Sequence, residues 1–313
     1  MYTIRQPKKI IFGINSCQNF EFPENILLIT SSGAKSRGWI NYLGVKNFDL
    51  FDSVEPNPSI ETVEHILTEF SQNFSVVVGL GGGSSLDVAK FVASKMKKPK
   101  ILIPTTFGSG SEVTRISVLK VNGKKRSFHD DKLLSDISII DPFFVRDAPM
   151  EIIKNSAIDA CAQCTEAFDS KLANYYTKFL CNKAFDILEN AILENNYEDL
   201  AYGALISGLG FGNSSTTLGH ALSYVYSNEG ISHGHALAFT TTVAHKFNNS
   251  QFYDRFKYLV KNLNFSPINL ELDLNEATKL IQLDRKHLDY NPKEVSDSDI
   301  VNLLSLINSQ QVF

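Results

Sequence analysis

The chain has 313 residues, 43% of them hydrophobic and 20% charged, the composition of an ordinary globular protein with enough length for about two domains. A net charge of -4, without a basic tail or stripe, argues against nucleic acid as the main partner. No apolar run approaches the roughly 18 residues of a membrane span, and Met1 to Lys9 lack the apolar core of a signal peptide, so a cytoplasmic protein is expected.

Lys9 to Gly13 reads as a short strand, and Asn25 to Thr30 as a second, fully apolar one. After Ser31-Ser32-Gly33 a helix is expected from Ala34 to Leu43, then a strand over Phe48 to Phe51. Glu55-Pro56-Asn57-Pro58 breaks regular structure, and Ser59 is placed to cap a helix with Ile60, Val63, Ile66, Leu67 and Phe70 on its apolar face. Ser75 to Val78 is a buried strand. It leads into Gly79-Leu80-Gly81-Gly82-Gly83-Ser84-Ser85-Leu86-Asp87-Val88-Ala89-Lys90, which opens another helix. Glycines between a strand and a helix let the backbone approach an anion, and the free N–H groups of the helix start favour phosphate. A nucleotide pyrophosphate site is expected there.

The next strand, Lys100 to Ile103, runs into Pro104-Thr105-Thr106-Phe107-Gly108-Ser109-Gly110-Ser111-Glu112, a second polar loop at a strand end. Residues 116–145 read as irregular or β-like. Strands alternating with helices imply a mostly parallel sheet covered on both faces, with ligands beyond the strand carboxyl ends. From about Met150 the periodicity turns helical, near 150–168, 175–193, 198–211, 214–226, 234–248, 252–262, 274–287 and 297–309. The expected organisation is an α/β nucleotide-binding domain over 1–149 and an all-helical domain over 150–313, with a catalytic cleft between them.

In the helical half Asp159, Gln163 and Glu166 fall on one helix face among small apolar residues, which points to a partly buried polar stripe. Three of the seven histidines, His220, His233 and His235, lie within sixteen residues, a pattern suited to a metal or proton-transfer site. His65, His129, His245 and His287 carry no motif. Cys161 and Cys164 form a lone CxxC without a second pair, and with Cys17 and Cys181 they read as structural thiols of a reduced protein.

These pieces in this order resemble the iron-containing alcohol dehydrogenase family, which includes glycerol dehydrogenase and is related in fold to dehydroquinate synthase. The resemblance rests above all on the Gly81–Lys90 and Pro104–Glu112 motifs and covers essentially the whole chain. It implies an NAD(P)-dependent alcohol dehydrogenase or aldehyde reductase with a divalent metal, iron or zinc, and a homo-oligomeric state. Gly82, Gly83 and Ser84 would hold the pyrophosphate, with Asp87 near the nicotinamide. Thr105, Thr106 and Ser109 would line the adenosine and phosphate side, and Lys125 falls where the family has a lysine that contacts the cofactor.

Two departures from the family pattern stand out. NAD-preferring members carry an acidic residue after the second strand, where this chain has Ser31, so acceptance of NADPH is expected. The family's ligands are an aspartate, a histidine four residues on, and two later histidines. Asp159 and His233 match the first and last, but Gln163 and Thr216 stand at the other two. His220 matches the family histidine placed in proton transfer. Either a rearranged set of Asp159, Gln163, His220 and His233 binds the metal, or His220 or His233 donates a proton without one. The Gln163 helix and the His220-Ala221-Leu222-Ser223-Tyr224 and His233-Gly234-His235-Ala236 segments look like the branch that reduces phosphonoacetaldehyde, for which Lys125 and Arg115 are candidate anion partners. A carboxylate semialdehyde (succinic or malonic) as substrate, and a nucleotide-binding relative without catalysis, are the alternatives.

Overall fold

A computed structural model describes residues 1–70, 73–146 and 148–312. The chain divides into two compact units, Thr3–Ala148 and Pro149–Phe313, the latter joined by Met1–Tyr2.

The first unit is built on a parallel sheet of six strands: β1 (Lys9–Phe12), β2 (Ile26–Ile29), β3 (Phe48–Phe51), β4 (Val76–Gly81), β5 (Lys100–Pro104) and β8 (Ile137–Ile140). Their spatial order is β1-β8-β5-β4-β2-β3. The near-continuous apolar strands follow from burial on both faces. Leu27, Ile29, Val77 and Leu102 face one core, shared with α3 (Ile60–Glu69) and α4 (Gly83–Met96). Ile26, Leu28, Val76, Val78, Ile101 and Ile103 alternate into the other, covered by α2 (Trp39–Leu43) and Phe144. Between β5 and β8 an antiparallel hairpin, β6 (Ile116–Val121) and β7 (Lys124–His129), accounts for part of the segment read as β-like. Ser59 caps α3 as expected, its Oγ accepting from Thr62 N.

Three local differences have physical reasons. The single helix expected over 34–43 is α1 (Ser32–Ser36) and α2, separated at Gly38, whose φ of 73° lies outside the helical region. β4 runs on to Gly81 because Gly79 and Gly81 pair with Leu102 and Pro104 of β5, so only Gly82 lies between the strand and α4. Residues 274–287 form α11 (Leu274–Gln282) and α12 (Arg285–Asp289), broken where Asp284 accepts a hydrogen bond from His287 Nδ1.

The second unit is helical. Its long elements are α5 (Met150–Asp169), α6 (Tyr175–Glu194), α7 (Tyr197–Phe211), α8 (Leu218–Asn228), α9 (His233–Asn248), α10 (Tyr253–Asn262) and α13 (Asp297–Asn308). α5 lies against α6, α7 and α9, which places the Asp159–Glu166 face inside the unit. Cys17, Cys161, Cys164 and Cys181 are free and buried. Among the described residues no helix is long and apolar enough to cross a membrane.

Candidate functional site

In the α/β unit the turn from β4 into α4 is a cradle without side chains. A Cβ at Gly82 would stand 3.1 Å from Thr106 Oγ1, and one at Gly83 would stand 3.0 Å from Ser109 Oγ. Thr106 and Ser109, from the loop after β5, therefore lie directly against the two glycines. No side chain caps the start of α4, so its first N–H groups remain available to an anion. Ser84 Oγ accepts from Asn57 N at 3.3 Å, and Thr105 N donates to Gly81 O at 3.0 Å, with Thr105 itself buried. This geometry fits a dinucleotide pyrophosphate, because any Cβ would fill the space the phosphate needs.

The other expected cofactor residues have these surroundings. Asp87 is buried and its carboxylate is already partnered: Ser111 Oγ donates at 2.6 Å, Val118 N at 2.9 Å, and Lys90 Nζ lies 3.1 Å away. Lys90 is fully buried and also donates to the carbonyls of Ser111 and Ile116. Burial pulls its ammonium pKa down, against the opposing charges of Asp87 and then Glu112. The pair ties α4 to the loop and hairpin that follow β5. Burial of the same region pushes the Glu112 carboxyl up to about 7, against the Lys90 charge. Lys125 sits on β7 opposite Lys120, half-buried, its pKa lowered by burial and by that neighbouring charge. Ser31 is at the start of α1 with its hydroxyl in no capping bond.

In the helical unit the expected stripe on α5 meets α8 and α9. One ligand atom each from Asp159, His220 and His233 lies within 4.8 Å of the others. His220 Nε2 is 3.7 Å from Asp159 Oδ1, and His233 Nε2 is 3.9 Å from it. Gln163 Nε2 donates to the same Oδ1 at 2.9 Å, while its Oε1 is buried with no hydrogen-bond partner. Two imidazole nitrogens and a carboxylate form a donor set that suits a divalent transition metal, and the Gln163 amide is bonded to that carboxylate through its nitrogen. His235 stands apart from this cluster, with Nε2 on the Ser266 carbonyl at 2.6 Å.

Behind His220 lies Glu166, 1% exposed. Its Oε2 accepts from Thr217 N at 2.5 Å and faces His220 Nδ1 at 3.1 Å, while Thr241 Oγ1 donates to Oε1 at 3.3 Å. A side chain at Gly219 would collide with that carboxylate. The bond to Thr217 N explains why α8 starts at Leu218 rather than near 214. Burial alone would neutralise Glu166, but the charge and hydrogen bond of His220 outweigh it and hold the carboxyl low. Burial likewise opposes charge on His220, yet Glu166 and Asp159 keep its pKa high.

Some neighbours of this cluster were not singled out from the sequence. His287 stacks on His220 at 6.2 Å between ring centroids, with its Nδ1 2.6 Å from Asp284 Oδ2. Tyr224 stacks on His233 at 6.2 Å. The Asp284–His287 spacing of three residues on a helical pattern was the available signal.

Comparisons with known proteins agree across both units. The model of the iron-containing alcohol dehydrogenase family matches residues 7–142, and that of its C-terminal domain matches residues 153–287. The 4-hydroxybutyrate dehydrogenase of Clostridium kluyveri is 31% identical over 209 residues, 57% of this chain and 56% of its own length. A long-chain-alcohol dehydrogenase of Geobacillus thermodenitrificans is 33% identical over 60% of this chain and 56% of its own length. The chain thus spans just over half of these two relatives. Among solved structures, the iron-containing alcohol dehydrogenase of Thermotoga maritima superposes with a TM-score of 0.90 at 22% identity, covering 99% of this chain and 100% of that one. The sulfoacetaldehyde reductase of Bifidobacterium kashiwanohense, solved with NAD+, gives 0.89 at 23% identity over 99% of both chains. At these identities the two structures show the fold.

Proposed function

The chain belongs to the iron-containing alcohol dehydrogenase family, and from that premise we propose that it interconverts a small aldehyde and its primary alcohol. The observation that carries the reading is the convergence of one ligand atom each from Asp159, His220 and His233. Two imidazoles and a carboxylate within reach of one another suit a divalent cation.

When bound, the reduced nicotinamide supplies the hydride and the divalent cation polarises the carbonyl oxygen. Asp159, His220 and His233 would hold the cation, with Gln163, bonded to Asp159, as the fourth residue of the set. Glu166 orients His220 by taking its Nδ1–H, so that Nε2 is the atom presented toward Asp159. Gly82, Gly83, Ser84, Thr106 and Ser109 would receive the pyrophosphate, with Thr105 holding their loop against Gly81. Asp87 would act by fixing the surroundings of that loop, through Ser111 and Val118, and Lys125 on β7 is kept as a candidate cofactor contact.

A second reading is favoured by one observation. His220 lies between two carboxylates that keep its pKa high, so the imidazolium could itself donate a proton to the developing alkoxide. Elemental analysis of the purified protein, with activity measured after chelation and after metal add-back, separates the two. Activity lost on chelation and restored by one divalent ion supports the metal reading. Full activity in metal-free protein supports the protonated histidine.

For the substrate we propose a small aldehyde bearing an anionic group, phosphonoacetaldehyde first and a carboxylate semialdehyde second. A panel of phosphono-, carboxylate- and uncharged aldehydes tests this, and turnover of carboxylate aldehydes alone would discard the phosphonate. Absence of oxidation of a bound dinucleotide with every aldehyde and metal would leave a non-catalytic relative. We further propose a homo-oligomer in a reducing, cytoplasmic setting, the latter in keeping with four free buried thiols.

A further inference from the structure

The turn after β2 lies beside the glycine cradle. β2 pairs directly with β4, and Thr30 Oγ1 donates to Leu80 O at 2.6 Å, joining the two strands at their carboxyl ends. A dinucleotide whose pyrophosphate rests on the β4 turn extends its adenosine ribose over a neighbouring strand end. Whether that ribose carries a 2′-phosphate is decided by the charge it meets there.

Thr30-Ser31-Ser32-Gly33 offers no carboxylate. The nearby acid, Asp52, follows β3, which pairs with β2, and its Oδ2 is held by Lys35 Nζ at 2.5 Å. Arg37 folds back over the turn. A Cβ built on Gly33 would stand 2.8 Å from Arg37 Nη1 and 3.8 Å from Ser31 Oγ, so guanidinium and hydroxyl converge on the same point. The guanidinium is also steadied by Trp39, whose ring centroid is 5.1 Å from Cζ. Among the described residues it has no carboxylate partner within ion-pair distance, and Ser31 Oγ makes no capping bond.

We propose that Arg37, with the Ser31 hydroxyl, receives the 2′-phosphate of the adenosine ribose, which makes this chain selective for the phosphorylated nicotinamide dinucleotide. The proposal rests on the reading that Gly82 to Ser84 hold the pyrophosphate. A planar guanidinium suits a phosphate monoester through paired N–H donors, and a 2′-hydroxyl gains much less from it.

Equilibrium titration of the full chain with NADP+, NAD+, 2′,5′-ADP and 5′-ADP tests this without turnover. Binding of the 2′-phosphorylated member of each pair is expected to be at least about tenfold tighter. Arg37→Ala is expected to lose roughly 10–100-fold for NADP+ and 2′,5′-ADP while NAD+ stays within about twofold. Gly33→Ala, which displaces only the far end of the arginine, should shift selectivity the same way by less. Equal loss for both dinucleotides in Arg37→Ala, or no loss for either, overturns the proposal. Wild-type preference for NAD+ overturns it while leaving the pyrophosphate reading intact. Failure of the wild type to bind either dinucleotide overturns both.

Discussion

Glu166 Oε2 and His220 Nδ1 stand 3.1 Å apart inside the helical unit, so the orientation of a candidate ligand imidazole is set by a fully buried carboxylate. Glu166→Gln keeps the volume and one acceptor but turns an amide N–H₂ toward donors. Divalent metal affinity, read by chelator competition, is expected to fall by roughly 10–100-fold. Unchanged affinity would make the contact a packing feature only.

The glycine cradle makes a second prediction. Gly82→Val places branched methyl groups against Thr106, so dinucleotide affinity is expected to drop at least about 100-fold, with the circular dichroism spectrum unchanged. Wild-type affinity in this variant would move the pyrophosphate elsewhere.

Lys90 and Asp87 are a buried pair linking α4 to the loop after β5. Lys90→Met leaves the Asp87 charge without its cation and is expected to destabilise the protein by roughly 3–5 kcal/mol in urea unfolding. Adding Asp87→Asn should recover part of that loss, giving a coupling that a double-mutant cycle measures.

His245 provides the pH dependence. It is buried among Phe252, Phe256 and Thr165, its Nε2 2.8 Å from Thr165 Oγ1. Burial lowers its pKa from 6.5 to about 4, against the opposing charge of Glu166. The unfolded chain therefore takes up a proton in a range where the folded chain does not. The stability this neutral histidine supports is complete above about pH 6.5 and is lost as pH falls toward 4, on the order of 3 kcal/mol in all. The stability difference between wild type and His245→Gln should narrow across that window, and a difference constant from pH 7 to pH 4.5 would refute it.

The sheet and the polar loops at its carboxyl edge were legible because parallel, doubly buried strands leave unbroken apolar runs, as in Ile26 to Ile29. The polar face of α5 was legible from spacing, including the placement of Gln163 and Glu166. What escaped depends on partners distant in sequence. The start of α8 is set by Glu166, 51 positions away, and Gly79 to Gly81 are strand because β5 pairs with them. The spent carboxylate of Asp87 is visible only once Ser111 and Val118 fold onto it. Arg37 carries no periodic signal, since its place over Gly33 follows from a bend at Gly38.

The pairing of β1 with β8 governs how this unit is made. The ion pair of Lys8 and Asp136 just ahead of that ladder joins residues 128 positions apart. During synthesis the first strand emerges from the ribosome long before the strand that will shield it, while β2, β3 and β4 have their neighbours earlier. The nascent chain therefore carries an open strand until about residue 140 has been translated, which makes closure of this edge a late and slow step and a premature stop before Ile137 a route to aggregation.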